Sequence, residues 1–588
     1  MKRLLALLAA TCLMSATLAR AEDAAPASAG PAIEGLRRVP MRDGGELTAT
    51  VYKPARSGRW PTIVLISPYG RSIRAPMGMK YAAAGFVLVV LDTRGRGDAP
   101  GEAEPFEHEA TDTYDAIEWA AAQPFSDGQV AMTGSSYGGF AQWAAAKGKP
   151  PHLKAIEPSA AVFPGWDFPM WRNVGYPYMA SWTAYTYGHI SNAELFGDQA
   201  FWSRNYEEAL RGDVPFSQLD SYVGFPSKVF QTWAAHPSYD AYWAGLNPTS
   251  AEFAGIDLPI LSVTGLFDGA QMGALEYYKR HMAAASPAAR AKHYLVIGPF
   301  DHSGTRFPAA SVGGVAIAPA GVIDMTALDL AYYDWTLRGG PRPAFLKDHV
   351  AYWVMGADEW RYAPSLDATG ASPVVQHLAA TSGQATAFGK PGPLQTRAPA
   401  PGTAAYRYDP KDLSKTDRQG LFRGAYLTND AFVRRIDGNG LIYETEPYAK
   451  GVEIIGKPRL SLWAAVDAPD TDIKAELYEV KKDGSSLWLS TDRIRARYRN
   501  SPSEPSLLKP GKVELYDFNQ FIWTARRLAP GSRIRLVISA PDAIQTQRNG
   551  DTGGAVAEEK LSESRATVVT VHQGGRYDSR LTLPSKAP

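Results

Sequence analysis

The sequence predicts an α/β domain with a parallel sheet and a helical cap, followed by a C-terminal β-sandwich. Three observations support this fold class. Short unbroken apolar runs alternate with helical stretches in the first half of the chain, which is typical of a parallel sheet buried on both faces. An aromatic-rich segment interrupts this alternation at about residues 160–250. Beyond residue 345, short β-branched and aromatic runs alternate with turns, and helical stretches are absent.

The length of the chain also requires more than one domain. It has 588 residues, whereas single hydrophobic cores stop growing at about 250–300 residues. The predicted organisation is a signal peptide at 1–21, a linker at 22–34, the α/β domain at 35–345 with its cap at about 160–250, and the β-sandwich, in the form of a jelly roll, at 346–588.

The first residues have the pattern of an export signal. Lys2 and Arg3 precede an apolar run, and the Ala-Arg-Ala sequence at 19–21 offers a cleavage site. We therefore expect the mature protein to be periplasmic or secreted, with no membrane span. An interfacial anchor retained on the mature chain is the alternative. Cys12, the single cysteine, falls inside the signal, so the mature chain is expected to have no disulfide.

The charge balance indicates what kind of partner the protein has. The chain carries 61 Lys and Arg against 60 Asp and Glu, a net charge of +1. Such a balance gives no field to attract nucleic acid or an anionic lipid surface. We expect a small-molecule partner, no cofactor and no metal; the acidic pair Asp470 and Asp472 is interpreted as a turn with satisfied carboxylates rather than a Ca²⁺ site. The sequence leaves a homo-oligomer open.

The elements of the α/β domain follow one another in a regular order. An antiparallel hairpin is predicted at 37–52 around the Arg-Asp-Gly-Gly turn at 42–45. Buried strands are predicted at 62–66, 86–91, 129–133, 260–264 and 294–297, and helices at 79–84, 111–122 and 323–337.

The second domain is predicted from punctuated strands alone. Strands are expected at 349–355, 454–466, 473–480, 493–498 and 533–539. The stretch at 379–402, rich in Ala, Thr, Pro and Gly, predicts a long loop.

A serine motif stands where one of these strands turns into a helix. Residues 134–138 read Gly-Ser-Ser-Tyr-Gly, directly after the strand at 129–133. In an α/β-hydrolase this strand-to-helix turn is the nucleophile elbow, which forces a serine into an exposed, strained conformation. Ser136 is therefore the candidate nucleophile. A plain glycine turn is the alternative.

An acid and a histidine follow in the chain order that this fold requires. Asp268 comes directly after the strand at 260–264, and His302 comes directly after the strand at 294–297. At the carboxyl ends of neighbouring strands, the imidazole would accept the Ser136 proton while the carboxylate orients the ring. His236 in the cap is the rival base, and Asp301 is the rival acid.

An acyl-transfer site also needs donors for the developing oxyanion. The amide of Tyr137, directly after the nucleophile, is the expected first donor. The sequence has no His-Gly-Gly-Gly run for the second. Instead, the loop after the first buried strand reads Ser-Pro-Tyr-Gly-Arg at 67–71, which places the phenol of Tyr69 at the corresponding position.

Together these motifs resemble the cocaine esterase and glutaryl acylase-like hydrolases, which are related to X-prolyl dipeptidyl peptidases and α-amino acid ester hydrolases. The matching pieces, which include parts of the C-terminal domain, lie at 41–44, 67–71, 92–97, 134–138, 267–269, 298–302, 445–447, 469–472 and 495–499. The resemblance implies that the Tyr69 hydroxyl completes the oxyanion hole. The chain departs from the family pattern at Asp-Ala-Pro, residues 98–100, and at the elbow, where α-amino acid ester hydrolases tend to carry Ser-Tyr-Glu-Gly and this chain has Tyr137-Gly138-Gly139 after Ser136.

The leading hypothesis is a serine hydrolase that cleaves ester or amide bonds through an acyl-enzyme. The alternatives within enzymes are an X-Pro dipeptidyl aminopeptidase and an α-amino acid ester hydrolase. An aminopeptidase needs a carboxylate for the free amino terminus of its substrate. Candidates in the cap are Asp167, Glu194, Glu207 and Asp240. From a different class, the protein would be a surface carbohydrate-binding protein with a silent hydrolase domain.

Overall fold

The computed structural model describes residues 30–380, 384–418 and 424–587. The predicted signal peptide and most of the predicted linker lie outside these residues. The end of the linker does not, and here the prediction is wrong: the first strand already begins at Ala32, because Ala32, Ile33 and Glu34 pair with residues of the second strand.

The first part of the chain forms six strands and three helices. The strands are β1 (Ala32–Pro40), β2 (Glu46–Lys53), β3 (Trp60–Ser67), β4 (Val87–Asp92), β5 (Ser126–Ser135) and β6 (Leu153–Ser159). The helices are α1 (Ala75–Ala83), α2 (Glu109–Ala121) and α3 (Tyr137–Gly148). The predicted hairpin is confirmed, since β1 and β2 are antiparallel neighbours.

An insertion of small elements separates β6 from the rest of the sheet. It contains the strand pair β7 (Met170–Trp171) and β8 (Val174–Gly175), and seven short helices: α4 (Tyr178–Thr186), α5 (Ala193–Gly197), α6 (Gln199–Arg211), α7 (Leu219–Tyr222), α8 (Lys228–Ala235), α9 (Ala241–Leu246) and α10 (Ser250–Ala254). This insertion is the helical cap that the aromatic segment predicts.

The sheet resumes after the cap. Its remaining elements are β9 (Ile260–Phe267), α11 (Gln271–Ala284), α12 (Pro287–Arg290), β10 (His293–Asp301), the small pair β11 (Ser311–Val312) and β12 (Val315–Ala316), α13 (Met325–Arg338), β13 (Val350–Val354) and β14 (Glu359–Ala363). The ten-stranded sheet has the order β1-β2-β4-β3-β5-β6-β9-β10-β13-β14. The strands from β4 to β13 in this order are parallel, as predicted.

Helices cover both faces of this sheet. Trp143 of α3 and Tyr277 of α11 pack with Ile117 of α2 on one face. Tyr81 of α1 and Tyr332 of α13 pack on the other. Strands buried on both sides need no polar face, which explains the unbroken apolar runs of the sequence.

One strand of this sheet was predicted in the other sheet. Residues 349–355 were expected to pair within the β-sandwich, but β13 pairs in parallel with β10 and belongs to the first sheet. A five-residue run of Val, Ala, Tyr, Trp and Val has no periodicity that identifies its partner, so its composition did not show which sheet it joins.

The C-terminal domain is built almost entirely from strands. These are β15 (Ser372–Leu378), β16 (Gly392–Gln395), β17 (Gly402–Tyr408), β18 (Gly440–Thr445), β19 (Val452–Gly456), β20 (Arg459–Val466), β21 (Asp472–Val480), β22 (Ser486–Arg495), β23 (Val513–Phe518), β24 (Thr524–Leu528), β25 (Arg533–Ser539), β26 (Thr567–Gln573) and β27 (Arg580–Lys586), with the single-turn helix α14 (Ala431–Arg434) between β17 and β18. The stretch predicted as a loop at 379–402 contains β16, which pairs with β15 and β18.

The cap is fastened to the C-terminal domain by the turn between β7 and β8. Arg172 and Asn173 have φ of 52° and 66° in this turn, a left-handed conformation that a two-residue hairpin favours. The Arg172 guanidinium donates to the carbonyls of Arg493 at 3.2 Å and Asp517 at 3.3 Å. The Asn173 amide donates to the Pro502 carbonyl at 2.8 Å.

The core of the α/β domain contains two carboxyl groups that burial keeps protonated. Glu157 of β6 accepts a hydrogen bond from Thr133 at 3.2 Å, and burial together with Asp329 raises its pKa well above the usual range. Burial, with Asp324, raises the pKa of Asp329 to about 8. Each group therefore stays neutral where the unfolded chain is already ionised.

We expect Asp329→Asn to be more stable than wild type, by an amount that grows between pH 5 and pH 9. Between about pH 4 and about pH 8 the folded state holds a proton that the unfolded state has released, so stability falls as pH rises. The variant has no such proton to lose, and its advantage should exceed about 1 kcal/mol at pH 9. Urea unfolding at several pH values measures this. Asp334→Asn, on the same helix but 44% exposed, is the control that should show no such trend.

Candidate active site

Ser136 occupies the turn between β5 and α3 in a conformation that few residues adopt. Its backbone has φ 63° and ψ −117°, outside the allowed regions for a side chain with Cβ. Its amide donates to the Ser159 carbonyl at the end of β6 at 2.9 Å. The predicted strand-to-helix elbow is present, and it points the serine to the carboxyl edge of the sheet.

Glycine at position 139 lets α3 approach the sheet. A Cβ at Gly139 would lie 2.7 Å from the Ser159 carbonyl oxygen and 2.8 Å from the Ala161 Cα, so no larger residue fits without a shift of the backbone. Tyr137 is the first residue of α3, and an amide at this position has no acceptor within its own helix.

Asp268 and His302 are hydrogen-bonded to each other. The Nδ1 atom of His302 lies 2.7 Å from Oδ1 of Asp268. The carboxylate is fully buried and accepts two further hydrogen bonds, from the Thr264 hydroxyl at 2.8 Å and the Ala270 amide at 2.9 Å. The imidazole is 39% exposed. Three hydrogen bonds thus fix the Asp268 carboxylate, whereas the His302 ring that it contacts remains partly exposed.

The histidine turn also contacts the strand under Ser136. The Ser159 hydroxyl donates to the Thr305 carbonyl at 3.5 Å, and the Thr305 hydroxyl donates to the His302 carbonyl at 3.0 Å. Since the Ser159 carbonyl accepts the Ser136 amide, a short chain of contacts connects the serine turn to the histidine turn at one edge of the sheet.

The rival residues have other partners. His236 lies 2.6 Å from Asp240 within the cap and stacks on Tyr242 with ring centroids 4.4 Å apart. Asp301 accepts the Gly304 amide at 2.7 Å, so it shapes the turn that carries His302. The structure therefore pairs Asp268, rather than Asp301, with His302.

Tyr69 extends from the loop after β3 to the same place. Its hydroxyl accepts a hydrogen bond from the Trp182 indole at 3.4 Å. Burial raises the pKa of Tyr69, and the polar groups of Trp182 and Ser136 with the charges of Arg306 and Arg74 partly offset the rise. The phenol therefore keeps its proton at neutral pH and can donate it in a hydrogen bond.

Buried Arg96 holds the loop of Tyr69 against the cap. Its guanidinium donates to the carbonyl of Pro68 at 2.9 Å, and to the carbonyl of Tyr185 at 3.2 Å and the hydroxyl of Ser191 at 3.0 Å. Tyr185 in turn stacks on Tyr69, with ring centroids 5.7 Å apart. The sequence showed the Arg-Gly-Arg-Gly run at 94–97 only as part of a family motif. In the structure, Arg96 of this run positions Tyr69.

A buried glutamate lies behind the elbow. The Tyr137 hydroxyl donates to Glu109 of α2 and accepts the Phe106 amide at 3.2 Å. Burial raises the pKa of Glu109 to about 7, although the Tyr137 hydrogen bond works against the rise. This contact anchors the side chain of the residue after Ser136 and was not predicted, because no sequence pattern pairs a helix residue with the elbow.

Aromatic side chains of the cap close over the elbow. Phe106 stacks on Tyr137 at 5.0 Å between centroids and on Trp182 at 6.1 Å. Trp233 of α8 contacts both Phe106 and Trp182, at 5.8 and 5.6 Å. The site therefore has an apolar roof, consistent with the aromatic content of the cap segment.

Of the four cap carboxylates predicted as candidates for a substrate amino terminus, three already have partners. Asp167 is buried and accepts the amides of Phe163 at 2.7 Å and Gly273 at 2.9 Å. Glu207 forms ion pairs with Arg211 at 2.6 Å and with Arg418 of the C-terminal domain at 2.9 Å. Asp240 pairs with His236, as described above. Glu194 lies on the exposed side of α5.

The C-terminal domain reaches the catalytic region through Gln271. This residue begins α11, three positions after Asp268. Its amide nitrogen donates to the carbonyls of Gly265 at 3.0 Å and Trp523 at 2.9 Å, and its amide oxygen accepts the Trp523 backbone amide at 2.7 Å. One side chain thus connects the strand that carries the acid to the second domain.

The acidic pair of the C-terminal domain is neutralised by arginines. Asp472 and Arg495 form a buried bidentate pair with both distances at 2.9 Å. Asp470 pairs with Arg497 at 2.7 Å and accepts the Asn549 amide at 2.8 Å. These contacts agree with the interpretation as satisfied carboxylates rather than a Ca²⁺ site.

An elbow serine and a hydrogen-bonded acid–histidine pair, placed at one edge of a capped α/β sheet, define a serine hydrolase of ester or amide bonds. Comparison with known families agrees. Residues 43–304 match the model of the X-Pro dipeptidyl-peptidase (S15 family), and residues 346–582 match that of the X-Pro dipeptidyl-peptidase C-terminal non-catalytic domain. Because the two models together cover most of the chain, the chain belongs to this S15 family of hydrolases.

Individual relatives extend the similarity to nearly the whole chain. Cocaine esterase of Rhodococcus sp. (strain MB1 Bresler) is 28% identical over 578 residues, covering 93% of this chain and 97% of that protein. The structure of an α-amino acid ester hydrolase, 20% identical, superposes with a TM-score of 0.81 over 96% of this chain and 98% of the other. An aminopeptidase from a marine sediment Thaumarchaeota archaeon, 21% identical, gives 0.79 over 97% and 99%.

Proposed function

We propose that Ser136, His302 and Asp268 form the catalytic triad of an acyl hydrolase, with the Tyr137 amide and the Tyr69 hydroxyl as its oxyanion hole. The proposal rests above all on the hydrogen bond between Asp268 and His302 at the edge of the sheet that carries the elbow. The order of the three residues along the chain is also that of α/β-hydrolases.

The reaction follows from these positions. His302 Nε2 takes the hydroxyl proton while Ser136 Oγ attacks the carbonyl carbon of the substrate. The carbonyl oxygen becomes an oxyanion that accepts hydrogen bonds from Tyr137 and Tyr69. Collapse of this intermediate breaks the bond to the leaving group, which receives the proton from the imidazolium. Water then enters by the same steps, and the acid is released from the serine ester.

An acyl ester or amide without a free amino terminus is the proposed substrate class. An X-Pro dipeptidyl peptidase has to hold the ammonium of its substrate with a carboxylate. Asp167, Glu207 and Asp240 already bind amides, arginines or a histidine, which argues against them in this role. Dipeptide release remains the second candidate because of the family match.

A substrate panel tests the proposal. Purified protein is assayed with 4-nitrophenyl esters of increasing acyl length and with Xaa-Pro 4-nitroanilides. We expect turnover of esters at a kcat/KM at least about tenfold above that of the anilides. Cleavage of the anilides alone would show that the aminopeptidase is the correct choice. Absence of any turnover, together with no labelling by a fluorophosphonate, would favour a carbohydrate-binding protein.

Substitution of Tyr69 tests the oxyanion hole. We expect Tyr69→Phe to lower kcat by about 10²- to 10³-fold with little change in KM, because the lost hydrogen bond forms fully only in the transition state. Steady-state kinetics on one ester measure both constants. Tyr185→Phe, which keeps the stacked ring beside Tyr69, serves as the control. An equal loss in both variants would assign the effect to packing.

Export is proposed from the sequence of residues 1–21 alone. Their charged start, apolar run and small-residue end have the order of a secretory signal. None of the helices in the described part of the chain has the length and apolarity to cross a bilayer. Amino-terminal sequencing of protein recovered outside the cytoplasm should begin at Glu22; a first residue of Met1 would disprove cleavage. The jelly-roll topology of the C-terminal domain likewise remains a prediction.

A further inference from the structure

Two arginines whose charges act on Tyr69 have no carboxylate partner among the described residues. The Nε atoms of Arg74 and Arg306 are buried, and neither has a hydrogen-bond partner among the described residues. Within residues 30–380, 384–418 and 424–587 neither guanidinium forms an ion pair. Both side chains are half-buried, and a partly desolvated cation without a partner costs free energy that a bound anion would recover.

Arg306 lies in the turn that carries the catalytic histidine. Its amide donates to the Ser303 carbonyl at 3.1 Å, and its neighbour Thr305 contacts both His302 and Ser159. The turn is therefore held at the edge of the sheet next to the elbow, and the arginine shares this fixed position.

Arg74 lies in the loop that carries Tyr69. It ends the single-turn 3₁₀ helix Ser72–Arg74, which starts three residues after Tyr69, and its amide donates to the Arg71 carbonyl at 3.1 Å. The charge of Arg74 acts on both Tyr69 and Tyr185, the two stacked rings at the site.

The two guanidiniums also repel one another. Burial lowers the pKa of Arg74, and the positive charge of Arg306 lowers it further. The same two charges lower the pKa of Tyr69 against the larger effect of burial. Both cations therefore act on the hydroxyl at which a substrate carbonyl would be polarised.

Neighbouring arginines show how this chain normally treats such groups. Arg71 pairs with Asp92 at 2.9 Å, and Arg94 forms a bidentate pair with Asp112 at 2.7 and 2.6 Å. Arg96 is surrounded by carbonyl acceptors. In the same region, Arg74 and Arg306 differ in that their side chains have neither a carboxylate nor a carbonyl acceptor among the described residues.

From these positions we infer that Arg74 and Arg306 bind a carboxylate of the substrate, close to its scissile carbonyl. Two guanidiniums present several N–H donors to a planar anion, and a bound carboxylate would supply the missing negative charge. The inference rests on the proposed function, since it assigns a substrate class to the same site: esters or amides of monoanionic character rather than cationic ones.

The test compares substrates that differ only in this charge. One pair places it on the acyl side: mono-4-nitrophenyl hexanedioate and its methyl ester. A second pair places it on the leaving group: 3-carboxyphenyl hexanoate and its methyl ester. We expect the acid of at least one pair to have a kcat/KM at least tenfold above that of its methyl ester, with the preference decreasing as salt concentration rises.

Arginine variants then identify the groups responsible. We expect Arg74→Met and Arg306→Met each to reduce the ratio of kcat/KM for the acid to that for the methyl ester by at least tenfold, and Arg306→Lys to restore part of it. Arg397→Met, at an exposed position of the C-terminal domain, should leave the ratio unchanged. Fluorophosphonate labelling of each variant verifies that the nucleophile is intact.

The outcomes separate the two proposals. Hydrolysis of the methyl esters without preference for either acid overturns the carboxylate site and leaves the hydrolase assignment standing. The carboxylate site is equally overturned if the methionine variants lower the rates for acid and methyl ester by equal factors. No hydrolysis of any of the four compounds, with no labelling of wild type, overturns the proposed function itself.

Discussion

Ser136→Ala is expected to lose about 10⁴- to 10⁶-fold in kcat on the best ester substrate, and to lose labelling by a fluorophosphonate entirely. The hydroxyl is the only group removed, and the proposed acyl-enzyme cannot form without it. Binding should persist because the cap and the oxyanion donors remain, so KM should change little. Stopped assays with high enzyme concentration measure the residual rate.

The adjacent serine provides a matched control. Ser135 is buried, and its hydroxyl has no hydrogen-bond partner among the described residues, so Ser135→Ala removes an equivalent group one position away. We expect full labelling and a kcat within about threefold of wild type, as for substitutions away from the reacting atoms. Loss of labelling in Ser135→Ala with retention in Ser136→Ala would mean that the wrong serine has been assigned.

Asp268→Asn is expected to lower kcat by about 10⁴-fold. The carboxylate accepts from His302, Thr264 and Ala270 at 2.7 to 2.9 Å. Oδ1 accepts both the Ala270 amide and Nδ1 of His302, whereas Oδ2 accepts the Thr264 hydroxyl. An asparagine that turns its oxygen to Thr264 faces Nδ1 with its nitrogen and stabilises the imidazole tautomer whose Nε2 carries the proton, which cannot accept a proton from Ser136. An asparagine that keeps its oxygen on the Ala270 amide keeps the tautomer but loses the negative charge that stabilises the imidazolium. The pH dependence of kcat, together with a circular dichroism melt, separates this effect from unfolding.

Asp301→Asn tests the rival acid directly. Asp301 neighbours the histidine but accepts the Gly304 amide, which an asparagine oxygen can still do. We expect this variant to stay within about tenfold of wild type. If Asp301→Asn is the inactive variant and Asp268→Asn is active, the pairing seen between Asp268 and His302 is not the catalytic one.

The order of elements in the α/β domain could be predicted because its physical signal is local. Residues 62–66 and 86–91 are apolar almost without interruption, and runs of this length and composition are typical of strands buried on both faces. Strand β6 was missed for the corresponding reason. Its sequence contains Lys154, Glu157 and Pro158, and a glutamate buried in a strand core gives no apolar signal.

The three triad candidates were predictable because each follows a strand. A turn directly behind a buried strand places its side chain at the carboxyl edge of the sheet, whatever the rest of the chain does. Contacts between distant segments had no such signal. The donation of Trp182 to Tyr69 and of Tyr137 to Glu109 depends on how the cap and α2 pack, and packing of this kind leaves no periodicity in a single sequence.

The ion pairs at the site could not be predicted from the sequence either. The sequence places 61 cations and 60 anions along the chain but does not say which of them meet. Only the folded arrangement separates Arg71, which has Asp92, from Arg74, which has no carboxylate partner among the described residues. The net charge of the whole chain therefore argued against nucleic acid as a partner, but it did not predict the local positive charge at the site.

The pairing of Gln271 with Trp523 makes the two domains unsuitable as interchangeable building blocks. A protein engineer who grafts the β domain of a relative onto this catalytic domain would also replace the backbone amide and carbonyl that hold the start of α11. The junction for such chimaeras has to be chosen by this contact rather than by the linker, and recombination between relatives in evolution meets the same constraint.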